Sequence, residues 1–87
     1  MKMVIKTYWN KVESDPDAPF GSRVLPEYEL KDTVVYDTDL KSFDEMKKEL
    51  TKRFPDKFLG VDGESLKFDL GKHYGIHSYQ AISLKGE

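Results

Sequence analysis

Residues 42–55, SFDEMKKELTKRFP, decide how the rest of the chain is read. Ser42 with Glu45 three residues later is a capping box, in which hydroxyl and carboxylate take up free N–H groups of a first helical turn. Phe43, Met46, Leu50 and Phe54 then recur at spacings of 3, 4 and 4, which aligns them in one stripe on an α-helix. Asp44 and Glu45 stand at the positive end of the helix dipole, and Lys52 and Arg53 toward its negative end. Pro55 cannot continue the hydrogen-bond ladder. The spacing therefore predicts a helix over residues 43–54 with a single apolar face, and that face needs a second layer to cover it.

The flanking sequence supplies strands for that layer. Upstream, residues 3–12 (MVIKTYWNKV) are β-branched and aromatic and follow no helix cap. Met3, Ile5, Thr7 and Trp9 would share one face, and Val4, Lys6, Tyr8 and Asn10 the other. The inverse assignment would bury Tyr8 and expose Trp9. Residues 14–22 (SDPDAPFGS) read as a loop, because Asp-Pro and glycine break regular structure. In residues 23–36, Pro26 confines the first part to an edge or a bulge. Beyond it Tyr28, Leu30, Val34 and Tyr36 alternate on one face, interrupted by Asp32, with Glu29, Lys31, Thr33 and Val35 opposite.

Downstream of the helix, Phe58, Leu59 and Val61 precede the turn dipeptide Asp62-Gly63. Residues 65–70 alternate, with Leu66, Phe68 and Leu70 inward and Lys67 and Asp69 outward. Residues 71–75 form a turn. Residues 76–85 form a last strand, with Ile76, Ser78, Gln80, Ile82 and Leu84 on one face and His77, Tyr79, Ala81, Ser83 and Lys85 on the other. The expected fold is α+β: a small four-stranded, mainly antiparallel sheet with one helix packed on one face, in β-β-α-β-β order.

With 87 residues the chain is expected to form a single domain over 1–87. A hydrophobic content of 38% with eleven aromatic residues is too apolar for a disordered tail. No apolar run is longer than that of Met3-Val4-Ile5, far short of the roughly 20 residues of a membrane helix, so no membrane association is expected. No cysteine is present, which removes disulfides, thiol nucleophiles and thiolate metal sites, and fits a cytoplasmic location. The net charge of −2 is unevenly spread: residues 13–46 hold ten acids against Arg23, Lys31 and Lys41. That acidic middle argues against general affinity for nucleic acid and suits docking on a basic protein surface.

No nucleophile elbow or phosphate-binding glycine loop occurs, and a small sheet–helix layer pair leaves little room for a substrate pocket. The pairs Asp15/Asp17 and Asp37/Asp39 do not continue into a calcium loop. His73 and His77 are four residues apart, but across a turn, which does not aim two imidazoles at one ion. The chain is thus expected to be non-catalytic, without metal or cofactor.

Two surfaces are candidates for binding. Phe20 sits in the acidic, proline-stiffened loop, where it acts either as an anchor with a low ordering cost or as a plug for one end of the core. The first candidate surface is this region: Asp15, Asp17, Phe20, Glu27, Glu29, Asp37 and Asp39. The expectation is a protein–protein interaction module, monomer or homodimer, in the style of a small regulator or inhibitor from a mobile element, with another protein as partner. The second is the uncovered sheet face, where Lys6, Tyr8, Lys67, His77 and Tyr79 could stack on and pair with single-stranded nucleic acid. Glu29, Asp37 and Asp69 are expected on that same face and weaken its positive field.

Overall fold

The computed structural model describes residues 1–86. Two long strands, β1 (Lys2–Ser14) and β2 (Ser22–Asp37), form a hairpin. Helix α1 (Phe43–Arg53) follows, and then β3 (Phe58–Asp62), β4 (Ser65–His73) and β5 (Ile76–Lys85). All strand pairs are antiparallel, in the order β2-β1-β5-β4-β3. The α+β architecture is the expected one, but the sheet has five strands rather than four. The additional strand is Phe58–Asp62, which closes a second hairpin onto β4 through Gly63 and Glu64. Gly63 takes φ 60°, a backbone conformation that glycine reaches at no steric cost.

The helix forms as its sequence dictates. Ser42 Oγ accepts the Glu45 N–H at 3.1 Å, and the Glu45 carboxylate reaches back to the Lys41 N–H at 3.4 Å. Phe54 stands just past the last turn as its cap, and its N–H donates to the Leu50 carbonyl at 2.9 Å. Met46 and Leu50 are buried against Leu66, Phe68 and Ile82, with Met3, Ile5, Leu40, Phe43, Phe58 and Leu84 packed around them. Met3, Ile5 and the even-numbered face of β5 therefore lie under the helix, which settles the face assignment of β1 as expected. Trp9 belongs to the same face by alternation but is 44% exposed, because the core beneath the eleven-residue helix does not extend to it.

Besides a slip between Phe58 and Gly60 in the β3–β4 pair, three irregularities move side chains away from the simple alternation. Between Thr7 and Tyr8 the β1–β2 register slips, so Thr7 faces Asp32 and Tyr8 faces Leu30, with Lys31 as the extra residue. A second slip around Lys11 absorbs Leu25, Pro26 and Glu27 on the sheet's outer strand, where a residue without an N–H is tolerated. The third lies at Leu70, between the Asp69–Tyr79 and Gly71–Ser78 pairs, and leaves Leu70 exposed rather than inward. The expected five-residue turn at 71–75 is shorter than read. Strand β4 runs on to His73, and Tyr74 and Gly75, both with positive φ (53° and 78°), make the bend alone. This is the two-residue geometry whose twist matches that of the strands.

The molecule is elongated, 50 × 27 × 19 Å. β1 pairs with β5 only from Lys2 to Trp9, so Val12–Ser14 pairs with β2 alone and carries the connecting loop away from the sheet as a two-stranded arm. No helix among the described residues is long and apolar enough to cross a membrane.

Candidate functional site

The tip of the arm is held by its own hydrogen bonds. The Asp15 N–H donates to the Gly21 carbonyl (3.0 Å), Ala18 N–H to the Asp15 carbonyl (3.0 Å) and Gly21 N–H to the Ala18 carbonyl (3.1 Å). Asp15 Oδ1 also accepts the Asp17 N–H at 3.0 Å, an Asx turn that uses the aspartate side chain in place of a backbone group. At the base of the tip Arg23 bonds Glu13 at 2.7 Å. Phe20 lies on this loop with 94% of its surface exposed. It plugs no core.

The acidic residues grouped with Phe20 do not form one patch. Asp15 and Asp17 flank it at the tip. Glu27 faces Lys11 at 3.6 Å along the arm, and Glu29 pairs with Lys31. Asp37 pairs with Lys2 at 2.7 Å at the far end of β2, and Asp39 lies just beyond, before the helix. Hydrogen bonds from Lys31 and Lys2 hold the carboxyls of Glu29 and Asp37 below the usual range. Between Asp17 and Asp37 runs the whole of a 16-residue strand, about 50 Å at ~3.3 Å per residue.

The second candidate surface is the sheet face away from the helix. Register places Lys6, Tyr8, Lys67, Asp69, His77, Tyr79, Val35 and Asp37 there, as expected. Glu29 is a correction: the register slip at Lys31 sets it opposite Trp9, on the helix side. The same slip brings Tyr28 and Leu30 onto the open face, where alternation alone had set them against Val35. Tyr8 and Tyr79 stack at 5.1 Å and 14°, Tyr28 meets Tyr79 edge-on at 5.0 Å, and Lys67 Nζ lies 5.1 Å from the Tyr79 ring centre. Lys67 also approaches Asp62 at 3.4 Å.

At the arm end of this face a polar chain crosses the sheet. The Tyr28 hydroxyl lies 2.6 Å from His77 Nδ1, and His77 Nε2 lies 2.6 Å from Asp69 Oδ1. Asp69 Oδ1 also accepts the Gly71 N–H at 3.0 Å, inside the bulge at Leu70. The Gly71 N–H, and after it the bond from His77, hold the Asp69 carboxyl below its ordinary range. Asn10, the one buried polar residue among those described, fixes the histidine's backbone by accepting the His77 N–H at 2.9 Å. Sequence reasoning placed Asn10, Asp69 and His77 on this face but missed Tyr28. The available signals were Asp32, which breaks the apolar alternation of β2, and Pro26, which forecasts a slip in register.

His73 stands apart from this chain and contacts Tyr74 at 4.5 Å beside the β4–β5 turn. Among the described residues no three His, Cys, Asp or Glu side chains converge as a metal site would require.

The polar chain predicts a pH effect. The folded protein holds the Asp69 carboxyl below its ordinary range, so it binds that proton less readily than the unfolded chain does. The resulting stability is present above about pH 4 and is lost as pH falls through and below that value. Thermal melts of wild type and Asp69→Asn from pH 7 to pH 2 should show the variant less stable at neutral pH and the two curves converging in acid. Parallel curves would mean that the Asp69 bonds contribute nothing.

No family model, no curated protein and no solved structure matches this chain.

Proposed function

We propose that this chain is a docking module that binds another protein through the tip of its β1–β2 arm. Phe20 is the anchor, entering an apolar recess on the partner, and Asp15 and Asp17 meet basic residues at its rim. The observation that carries this reading is the 94% exposure of Phe20 on a loop closed by three backbone hydrogen bonds. An exposed phenylalanine costs solvation in the free protein and gains most when a partner covers it. A loop already fixed by its own bonds loses little entropy on binding. The contact is narrower than the acidic 13–39 region as a whole, because Glu27, Glu29 and Asp37 already have lysine partners. A small regulator or inhibitor that occludes a basic protein surface would need no more than this.

Single-stranded nucleic acid on the open face has weaker support. Tyr79 is engaged by Tyr8, Tyr28 and Lys67, and on that face Lys2 is met by Asp37 and Lys67 by Asp62. A base would have to break these contacts before it could stack.

Placing p-benzoylphenylalanine at position 20 and irradiating in a lysate of the source cells tests the proposal. One discrete protein adduct is expected. It should be suppressed by excess unlabelled wild type and by raised salt, which screens the acidic rim, but not by excess Phe20→Ala protein. Adducts spread over many proteins, or equal competition by both unlabelled chains, would count against the proposal. Oligonucleotide binding that shifts the Tyr8 and Lys67 amides would favour the nucleic-acid reading instead.

A further inference from the structure

The line Asp69–His77–Tyr28 is assembled from β4, β5 and β2, strands that the fold brings together over a sequence separation of up to 49 residues. Its proton positions follow from the chemistry of the groups. An ionised carboxylate can only accept, so His77 Nε2 carries the hydrogen that bonds Asp69. A neutral imidazole then has a bare Nδ1, which accepts the Tyr28 O–H. The order is nucleophile, base and orienter, with each neighbour in hydrogen-bond contact. Asn10 and Gly71 add fixed points behind the histidine and the aspartate. A polar clamp between strands would not require a phenol at the outer end, and Tyr28 keeps 38% of its surface open to solvent.

We propose that Tyr28 is a base-activated nucleophile that accepts an acyl group from an activated ester or thioester. Tyr28 Oη attacks the carbonyl carbon. The new C–O bond forms as the bond to the alkoxide, phenolate or thiolate leaving group breaks, and that group departs with the electron pair. The phenolic proton passes to His77 Nδ1, and the imidazolium so formed is stabilised by Asp69. His77 then returns the proton to the leaving group. His77 is the catalytic base, whereas Asp69 and Asn10 are positioning residues that act through it. A carbon-centred acyl donor fits better than a phosphoryl donor, because Lys67, the cation beside Tyr79, is committed to Asp62 and to that ring. This activity stands independently of docking at Phe20.

The molecule contains its own controls. Tyr74 is 89% exposed and Tyr36 56%, so labelling governed by access alone would follow the order Tyr74, Tyr36, Tyr28. The full-length chain is treated with p-nitrophenyl acetate at pH 7, and acetylation of each tyrosine is timed by peptide-mapping mass spectrometry. Tyr28 is expected to react at least tenfold faster than Tyr74, within the ~100- to 10,000-fold range a positioned base supplies. His77→Asn should bring Tyr28 below Tyr74, with the amide signals of Leu66, Phe68 and Ile82 confirming that the sheet is intact. Should that variant fail to fold, Asp69→Asn serves in its place and should lower the Tyr28-to-Tyr74 ratio by removing the carboxylate that sets the tautomer. Faster reaction at Tyr74 than at Tyr28 in the wild type overturns the proposal. So does an unchanged Tyr28 rate in the folded variants.

Discussion

Replacing Leu66 with alanine is expected to lower stability by about 3–5 kcal/mol, the upper range for a buried leucine whose surroundings cannot collapse into the space. Leu66 is fully buried and lies against Met46, Phe68 and Ile82. Only five hydrophobic side chains are buried among the described residues, so each carries a large share of the core. A domain of this size has a total stability of roughly 4–13 kcal/mol. The loss therefore removes a large part of it and lowers the thermal midpoint by tens of degrees, at about 4–8 °C per kcal/mol. Leu70→Ala is the matched control: one bulge away on the same strand, Leu70 is exposed and should cost under ~1 kcal/mol. Urea melts of the two variants would measure the difference. Equal losses would mean that the bulge at Leu70 does not exist in solution.

Phe20→Ala should do the opposite. It should leave the urea midpoint within ~0.5 kcal/mol of wild type, since the ring touches no core. Affinity for the protein captured at position 20 should fall by roughly 30- to 1,000-fold, the ~2–4 kcal/mol typical of a central aromatic anchor. Asp15→Asn with Asp17→Asn should weaken binding less, and mainly at low salt, because charges at the rim of an interface act chiefly on the rate of encounter. Asp15 also closes the loop by accepting the Asp17 N–H, and asparagine keeps a carbonyl oxygen that can accept in its place. Isothermal titration or surface binding with the purified partner would decide. A Phe20→Ala protein that unfolds while binding normally at low temperature would reverse the assignment and return the ring to a structural role.

The two predictions separate along a line that local sequence draws well. Leu66, Phe68 and Ile82 were legible as inward residues because strict alternation survives where a strand is flanked on both sides and covered by a helix. The helix was legible because a cap, a stripe of apolar residues and a stop all fall at helical spacing between Ser42 and Pro55. The strand Phe58–Asp62 was less legible. Gly60, at φ 143°, and the slip between Phe58 and Gly60 break its alternation, and its short length gives too few residues to show a period. Tyr28 was lost for the same reason on a larger scale. One extra residue at Lys31 reverses the facing of everything before it in β2, and no local propensity marks which residue will be the extra one.

The amino-acid sequence by itself determined the α+β class, the helix and its inward face, the confinement of Pro26 to an edge or a bulge, and the loop that carries Phe20. These rest on interactions within a few residues: capping, periodicity, and the fixed φ and missing donor of proline. Only the tertiary structure decided that Phe20 points away from the core, that the acidic residues are strung along an edge, and that Tyr28, His77 and Asp69 meet. Those outcomes depend on the register of strands up to 49 residues apart, set by the summed packing of both sheet faces rather than by any residue's own neighbours.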